Sequence, residues 1–140
     1  MLTYHRDLTV NWGESDPFGL VYFPRMLAWF NDTEHELFAK LGYPVNRMVE
    51  QDRTAFVMGR IDFKFVGPAA YGEQIQTTIS ASDITRSTIV WQCKALNLTT
   101  GVLVTEGLAT RVYAKILEDG NLKAIEISEE IRSLLSKTSE

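Results

Sequence analysis

The sequence predicts an α+β domain, with one long amphipathic helix and a series of strands that pack against it. Large apolar residues at positions 27, 30, 37, 38 and 41 recur with the 3.6-residue period of an α-helix. From Thr54 onward the pattern changes to alternation, with Val57, Ile61 and Phe63 separated by more polar neighbours. Short turns join the later strands, so we expect antiparallel pairing of neighbours and a curved, five-stranded sheet covered by the helix.

Turn and cap residues set the limits of these elements. Pro24 suits the first turn of a helix, where its missing N–H has no cost, and Gly42 supplies the C-terminal stop. The run 102–116 is too long for an average strand, which indicates a β-bulge near Gly107. In chain order, the predicted elements are a strand over 3–12, the helix from 24 to 41, strands from 54 to the Gly67–Pro68 turn, over 74–82, 87–98 and 102–116, and a last helix over 128–137.

Composition restricts the class of protein. The chain has 140 residues, of which 45% are hydrophobic, and this suits one domain over residues 1–140. The net charge is −4 and the 14 Lys and Arg residues are dispersed, which argues against a nucleic-acid partner. No apolar stretch approaches the ~20 residues that a membrane span needs, and the first 12 residues hold no signal-like run. We therefore expect a soluble, cytoplasmic protein.

Most familiar catalytic groups are missing from the sequence. Cys93 is the only cysteine, and its apolar, strand-like surroundings predict a buried structural thiol. The segment 13-GESDP-17 resembles the nucleophile-elbow motif G-x-S-x-G around Ser15, but Pro17 stands where that motif requires Gly. His5 and His35 are interpreted as surface residues. No group of side chains has the spacing of metal ligands, so no metal site is predicted.

Asp16 is the strongest candidate for chemistry. The ordinary interpretation is a turn-forming Asp before Pro17. However, Asp16 lies eight residues before Pro24 and is not needed as the cap of the helix. Gly19 permits close backbone approach or a positive φ, and the apolar residues 20–23 lead to free N–H groups at the helix start. A carboxylate near such donors can activate water or attack a carbonyl while the donors stabilise an oxyanion.

The segment 16-DPFGLVYFP-24, followed by a long helix and strands, resembles the 4-hydroxybenzoyl-CoA thioesterase family of hotdog-fold proteins. The likeness continues through 65-FVGPAAYGE-73, Arg86-Ser87 and 119-DGNLKAIEIS-128. The resemblance implies a hotdog fold, a curved antiparallel sheet wrapped around one central helix. It also implies hydrolysis of an acyl-CoA thioester without a metal or cofactor, CoA being part of the substrate.

Roles for individual residues come from the same resemblance. Asp16 matches the catalytic carboxylate, as nucleophile or general base, and the backbone N–H of Phe23 matches the oxyanion donor. Gly19 shapes the loop between them. The other implied contacts are Val21, Tyr22, Asn31 and Asp32 for the acyl group, and Arg86, Ser87 and Lys123 for the CoA phosphates.

The resemblance also implies an assembly. It indicates a homodimer formed by edge strands, commonly doubled to a homotetramer, with the acyl pocket between subunits. The elements predict a dimer independently, because one helix covers only one face of the sheet and leaves its edges open.

The acyl group is left open. Asn31 stands where an aromatic-specific member has an Asp that reaches the para-hydroxyl of the substrate, and Asn is neutral. A 4-hydroxybenzoyl-like or benzoyl-like group is the first expectation; short-chain, dihydroxynaphthoyl and acyl-carrier-protein thioesters are alternatives. A dehydratase would need a His in a matching motif, which His5 and His35 do not provide. A non-catalytic acyl-CoA-binding protein is the alternative of a different class.

Overall fold

A computed structural model describes residues 1–137; positions 138–140, the end of the predicted domain, lie outside the described residues. The helices are α1 (Phe23–Lys40), α2 (Val45–Arg47), which continues into a π-helical turn (Met48–Asp52), and α3 (Glu129–Ser136). A 3₁₀ turn covers Trp12–Glu14. The strands are β1 (Thr3–Thr9), β2 (Thr54–Phe65), β3 (Gln74–Ile84), β4 (Thr88–Asn97), β5 (Leu103–Ile116) and β6 (Leu122–Ala124).

The sheet is antiparallel throughout, in the order β1-β3-β4-β5-β2, and the short β6 pairs with the end of β5. The α+β prediction is confirmed, with this sixth strand added. The expected pairing of neighbours holds from β3 to β5 but is wrong for β2, which pairs with β5 and forms an edge. Residues 66–73 carry the chain from β2 to the far side of β4, so β2 and β3 do not meet.

The helix α1 lies against the concave face of the sheet. Its buried residues recur every three or four positions, as the apolar period predicted: Met26, Trp29, Phe30, Thr33, Glu34, Leu37 and Phe38. Phe30 contacts Phe63 of β2, with ring centroids 5.2 Å apart, and Thr33 shares a 2.6 Å hydrogen bond with Thr77 of β3. Side chains of this one helix therefore reach both the edge strand β2 and the strand β3 on the other side of the sheet.

Bulges in the strands contribute to this curvature. Register shifts leave Gly59 of β2, Ser82 of β3 and Val104 of β5 as extra residues. The bulge expected near Gly107 in β5 lies at Val104, whereas Gly107 itself pairs regularly with both Phe63 and Cys93. A Cβ at Gly107 would collide with the backbone of Asp62 and Phe63, so this glycine permits close approach of the strands.

Candidate active site

The segment 14–22 forms a tight loop that is fixed at both ends. The Tyr22 N–H donates to the Glu14 carbonyl at 2.8 Å, and the Val21 N–H donates to the Ala69 carbonyl at 2.8 Å. The Glu14 carboxylate accepts a 2.6 Å hydrogen bond from Trp29 Nε1 of α1. The loop is therefore attached to the helix and to the segment before β3.

Asp16 occupies the turn of this loop. Its Oδ1 accepts hydrogen bonds from the N–H groups of Phe18 at 2.8 Å and Leu20 at 3.2 Å, and Gly19 adopts a φ of +79°. The ordinary turn-forming role of Asp16 is thus present. Among residues 1–137, no donor bonds to Oδ2. One carboxylate oxygen is held by the backbone and the other is available for chemistry.

Phe23 is the first residue of α1 and carries one of the N–H groups that a helix start leaves unpaired. No carbonyl or side chain among the described residues accepts a hydrogen bond from it. The next residue, Pro24, has no N–H, and the Arg25 N–H already bonds to the Tyr22 carbonyl. Phe23 therefore presents a single free donor, where the helix dipole adds partial positive charge.

The surface around this loop and helix start is apolar and exposed. Phe18 is 87% exposed, and Tyr22 and Phe23 are each more than half exposed. The ring of Phe23 contacts the ring of Phe65 at the end of the edge strand β2, with the centroids 5.4 Å apart. Val21, by contrast, is buried in the core.

A polar cluster lies two to three turns further along α1. Asn31 Oδ1 accepts a 2.8 Å hydrogen bond from Arg111 Nη2 of β5, and the same nitrogen lies 3.0 Å from Glu34 Oε1. The Glu34 and Arg111 side chains are only 6% and 11% exposed. Burial raises the pKa of Glu34, and the charge of Arg111 opposes this shift.

Sequence reasoning missed the ion pair between Glu34 and Arg111, although a signal was present. Glu34 lies within the apolar face of α1, four residues after Phe30. Side chains alternate between the two faces of a strand, so Arg111 lies on the same face of β5 as the buried Ala109 and Tyr113. Asn31 and both charged residues line a cavity of about 40 Å³ between α1 and the sheet. Asp32 lies on the exposed side of α1 and does not line it.

The residues expected at the CoA phosphates gather at the other end of the sheet. Arg86 and Ser87 form the turn between β3 and β4, and Lys123 lies on β6. The Tyr113 N–H donates to the Ser87 carbonyl at 2.7 Å, and the Ile125 N–H donates to the Tyr113 carbonyl at 3.0 Å. These bonds place the β3–β4 turn beside the segment that carries Lys123.

One chain does not bring these residues to Asp16. The Asp16 loop bridges to Ala70, just before β3, whereas Arg86 follows the end of β3. A strand of 11 residues spans about 36 Å. Asp16 and Arg86 therefore lie near opposite ends of β3.

Cys93, His5 and His35 lie in the surroundings that the sequence predicts for them. Cys93 is a buried free thiol, and burial raises its pKa to about 12. His5 and His35 are exposed. Within residues 1–137, no group of three or more His, Cys, Asp and Glu could hold a metal ion. None of the helices in that range is long and apolar enough to cross a membrane.

A curved sheet around one helix, with a carboxylate loop at the helix start, defines the class of hotdog-fold thioesterases. The chain belongs to the thioesterase-like superfamily, whose profile matches residues 10–135. The predictions of a hotdog fold and of a thioesterase are thus confirmed. Among curated proteins, no sequence matches the chain.

Solved structures match the fold over nearly its whole length. A 4-hydroxybenzoyl-CoA thioesterase from Pseudomonas sp. strain CBS-3 is 23% identical, with a TM-score of 0.83 over 94% of this chain and 98% of that one. A 1,4-dihydroxy-2-naphthoyl-CoA thioesterase from Synechocystis is 13% identical, with a TM-score of 0.86 over 95% of each chain. A gentisyl-coenzyme A thioesterase is 17% identical, with a TM-score of 0.82 over 94% and 99%.

Proposed function

We propose that the protein hydrolyses an aromatic acyl-CoA thioester to the free acid and CoA. The observation that carries this proposal is the pairing of Asp16, with its free Oδ2, and the unpaired Phe23 N–H at the start of α1. The structures of similar fold act, by their names, on 4-hydroxybenzoyl-, dihydroxynaphthoyl- and gentisyl-CoA, and this supports an aromatic acyl group.

In the proposed reaction, Asp16 is the catalytic carboxylate. As general base it takes a proton from water while the water oxygen bonds to the thioester carbon. As nucleophile its own oxygen bonds to that carbon, and water hydrolyses the resulting acyl–Asp16 anhydride after the CoA sulfur has left, which releases the free acid and restores the carboxylate. The carbonyl oxygen gains negative charge and accepts a hydrogen bond from the Phe23 N–H. The C–S bond then breaks and the CoA sulfur leaves with the electron pair and gains a proton. The proposal includes no metal or cofactor.

We further propose that two chains build each site. The edge strand β2 carries exposed apolar side chains, with Met58 and Ile61 each 45% exposed and Phe65 46% exposed. An open, apolar edge of this kind favours pairing with a second copy. Such a dimer supports binding of the CoA phosphates by Arg86, Ser87 and Lys123 of the second chain, because these residues lie far from Asp16 of their own chain. A homotetramer and a cytoplasmic location stay predictions.

Release of free thiol from a panel of benzoyl-, 4-hydroxybenzoyl-, butyryl- and palmitoyl-CoA tests the function. The matched variant is Asp16→Asn, because the Asn carbonyl oxygen still accepts the Phe18 and Leu20 N–H groups but cannot act as a base. We expect aryl-CoA turnover that falls by about 10²–10⁴-fold in the variant. Turnover of the same rate in both proteins, or of no ester at all, would contradict the proposal.

A further inference from the structure

Glu14, two residues before Asp16, uses every hydrogen-bonding group that it has. Its Oε2 accepts from Trp29 Nε1 at 2.6 Å, and its Oε1 accepts from the Asn11 N–H at 2.9 Å. Its carbonyl accepts from the Tyr22 N–H at 2.8 Å, and its own N–H donates to the Asn11 carbonyl at 3.1 Å. One residue thus connects the segment after β1, the start of α1 and a side chain further along that helix.

A carboxylate suits position 14 because two donors meet there. A carboxylate accepts at both oxygens and donates nothing, whereas an amide would present its N–H₂ group to one of the two donors. The 2.6 Å bond to Trp29 is short for an N–H donor, as expected where the acceptor carries a charge. Trp29 is only 3% exposed and packs in the core, so its indole gives Glu14 a fixed point of attachment on α1.

The Asp16 loop is attached to the rest of the chain on two sides. Backbone contacts with Ala69 and Ala70 join it to the segment before β3. Towards α1, the bond from Trp29 to Glu14 is the only side-chain hydrogen bond of the loop within residues 1–137. The bonds to the Asp16 carboxylate come from its own loop. The Glu14 carboxylate therefore fixes the loop relative to the helix, whereas other contacts hold it on the sheet.

The relation between loop and helix sets the geometry of the proposed reaction. Asp16 lies on the loop, whereas the Phe23 N–H is the first donor of α1. Trp29 lies six residues after Phe23 on the same helix, about 9 Å along its axis at ~1.5 Å per residue. A loop that shifts relative to Trp29 therefore also shifts relative to the Phe23 donor. A misplacement of about 1 Å in a reacting group can cost ~100-fold in rate.

We propose that Glu14 is a positioning residue, whose hydrogen bond to Trp29 holds the Asp16 loop at the distance from the Phe23 N–H that hydrolysis requires. The bond acts on the reacting carboxylate without contact with substrate, so its loss should lower kcat far more than it changes KM. This inference rests on the proposed function and deepens it, since it names a residue that controls the geometry of the same site.

The test measures kcat and KM with the aryl-CoA of the panel that is hydrolysed fastest. Glu14→Met removes both acceptor oxygens and keeps an unbranched side chain, and Trp29→Phe removes the donor and keeps an aromatic ring. We expect kcat to fall by about 10–100-fold in each variant, with KM within about threefold of the native value. Glu14→Gln keeps one acceptor and should recover most of the rate. A native kcat in both Glu14→Met and Trp29→Phe would overturn the proposal.

Two cycles of variants separate positioning from stability. Glu14 and Trp29 share one bond, so the double variant Glu14→Met with Trp29→Phe should lose no more kcat than either single variant. In the Asp16→Asn background, Glu14→Met should lower the residual kcat by less than about twofold, because the carboxylate that Glu14 positions is already absent. Urea unfolding should show the same stability loss in both backgrounds. An equal kcat loss in both backgrounds, as a purely structural role predicts, would overturn the inference. Trp29→Phe carries the same cycle if Glu14→Met does not fold.

Tyr4→Phe is the matched control. The Tyr4 hydroxyl donates to Glu36 Oε2 at 2.6 Å, so this variant also removes a short bond between an uncharged donor and a carboxylate, here between β1 and α1. Glu36 lies 13 residues after Phe23, about 20 Å along the helix axis. We therefore expect kcat to stay at the native value. A loss as large as that of Trp29→Phe would show that any loosening of α1 lowers the rate, and would overturn the inference.

The outcomes also separate this inference from the proposed function. Aryl-CoA turnover that Asp16→Asn lowers, but that Glu14→Met and Trp29→Phe leave unchanged, would overturn the inference alone. If no acyl-CoA is hydrolysed, the proposed function fails and the inference fails with it.

Discussion

Asp16 and Glu34 are both carboxylates beside α1, yet their surroundings differ. Asp16 lies in an exposed loop, held at one oxygen by two backbone N–H groups. Glu34 is buried within the apolar face of the helix and paired with Arg111. A carboxylate that keeps a free oxygen at the surface can react with substrate and water. A buried, paired carboxylate contributes to the arrangement of the side chains around it.

The comparison predicts that substitutions at Glu34 mainly change the stability of the protein, whereas substitutions near Asp16 mainly change its catalytic rate. Replacing Glu34 should alter stability first, because it leaves a buried charge without its partner. Altering the helix start near Asp16 should alter turnover first, because Tyr22 and Phe23 there are more than half exposed and contribute little to the core. The following experiments test whether the two effects separate in this way.

The largest expected effect is on stability, from Glu34→Leu. Removal of one partner of a buried ion pair costs about 3–5 kcal/mol, because Arg111 then stays buried and uncompensated. The double variant Glu34→Leu with Arg111→Met should recover most of that loss, since apolar residues often replace such pairs at little cost. Urea unfolding of the native protein, both single variants and the double variant gives the coupling free energy. Additive losses would mean that the two charges do not interact.

The next effect is on rate, from Phe23→Pro. Proline removes the N–H donor but suits the first position of a helix, and Tyr22 already has the extended conformation (ψ 122°) that a residue before proline prefers. We expect kcat to fall by about 10²–10³-fold with aryl-CoA, the usual loss for one oxyanion donor. Phe23→Leu is the matched control, because it keeps the N–H and removes the ring. If the two variants lose activity equally, the ring and not the donor is responsible.

The smallest effect concerns Cys93, which lines the same cavity as Glu34. Burial raises the pKa of this thiol from 9.0 to about 12, so the native protein should hold almost no thiolate at pH 9. We expect iodoacetamide to modify Cys93 only after unfolding in urea, as measured by mass spectrometry. Rapid modification of the folded protein at pH 9 would show that this cavity is open to solvent.

The same shift has a consequence for stability at high pH. The unfolded chain loses the thiol proton near its ordinary pKa of 9.0, whereas the folded chain retains it up to about 12. The folded state therefore binds more protons in that window, and the free energy of unfolding falls as the pH rises through it. Cys93→Ala should remove this part of the pH dependence.

The sequence by itself determined the features that depend on neighbouring residues. The apolar period defined α1, the alternation defined the strands, and the 16-DPFGLVYFP-24 segment located the Asp16 loop and the helix start. Turn chemistry and helix caps act within a few residues, so they are visible in a linear pattern.

Only the tertiary structure decided what depends on pairing between distant segments. It placed β2 beside β5 at an edge of the sheet. The alternation of residues 54–65 predicts that this segment is a strand, but it does not predict which strand lies next to it. It joined Glu34 to Arg111, which are 77 residues apart and have no local signal for each other. It also separated Asp16 from Arg86 along the length of β3. Register between strands and the packing of a helix on a sheet are set by the whole core, so no short pattern contains them.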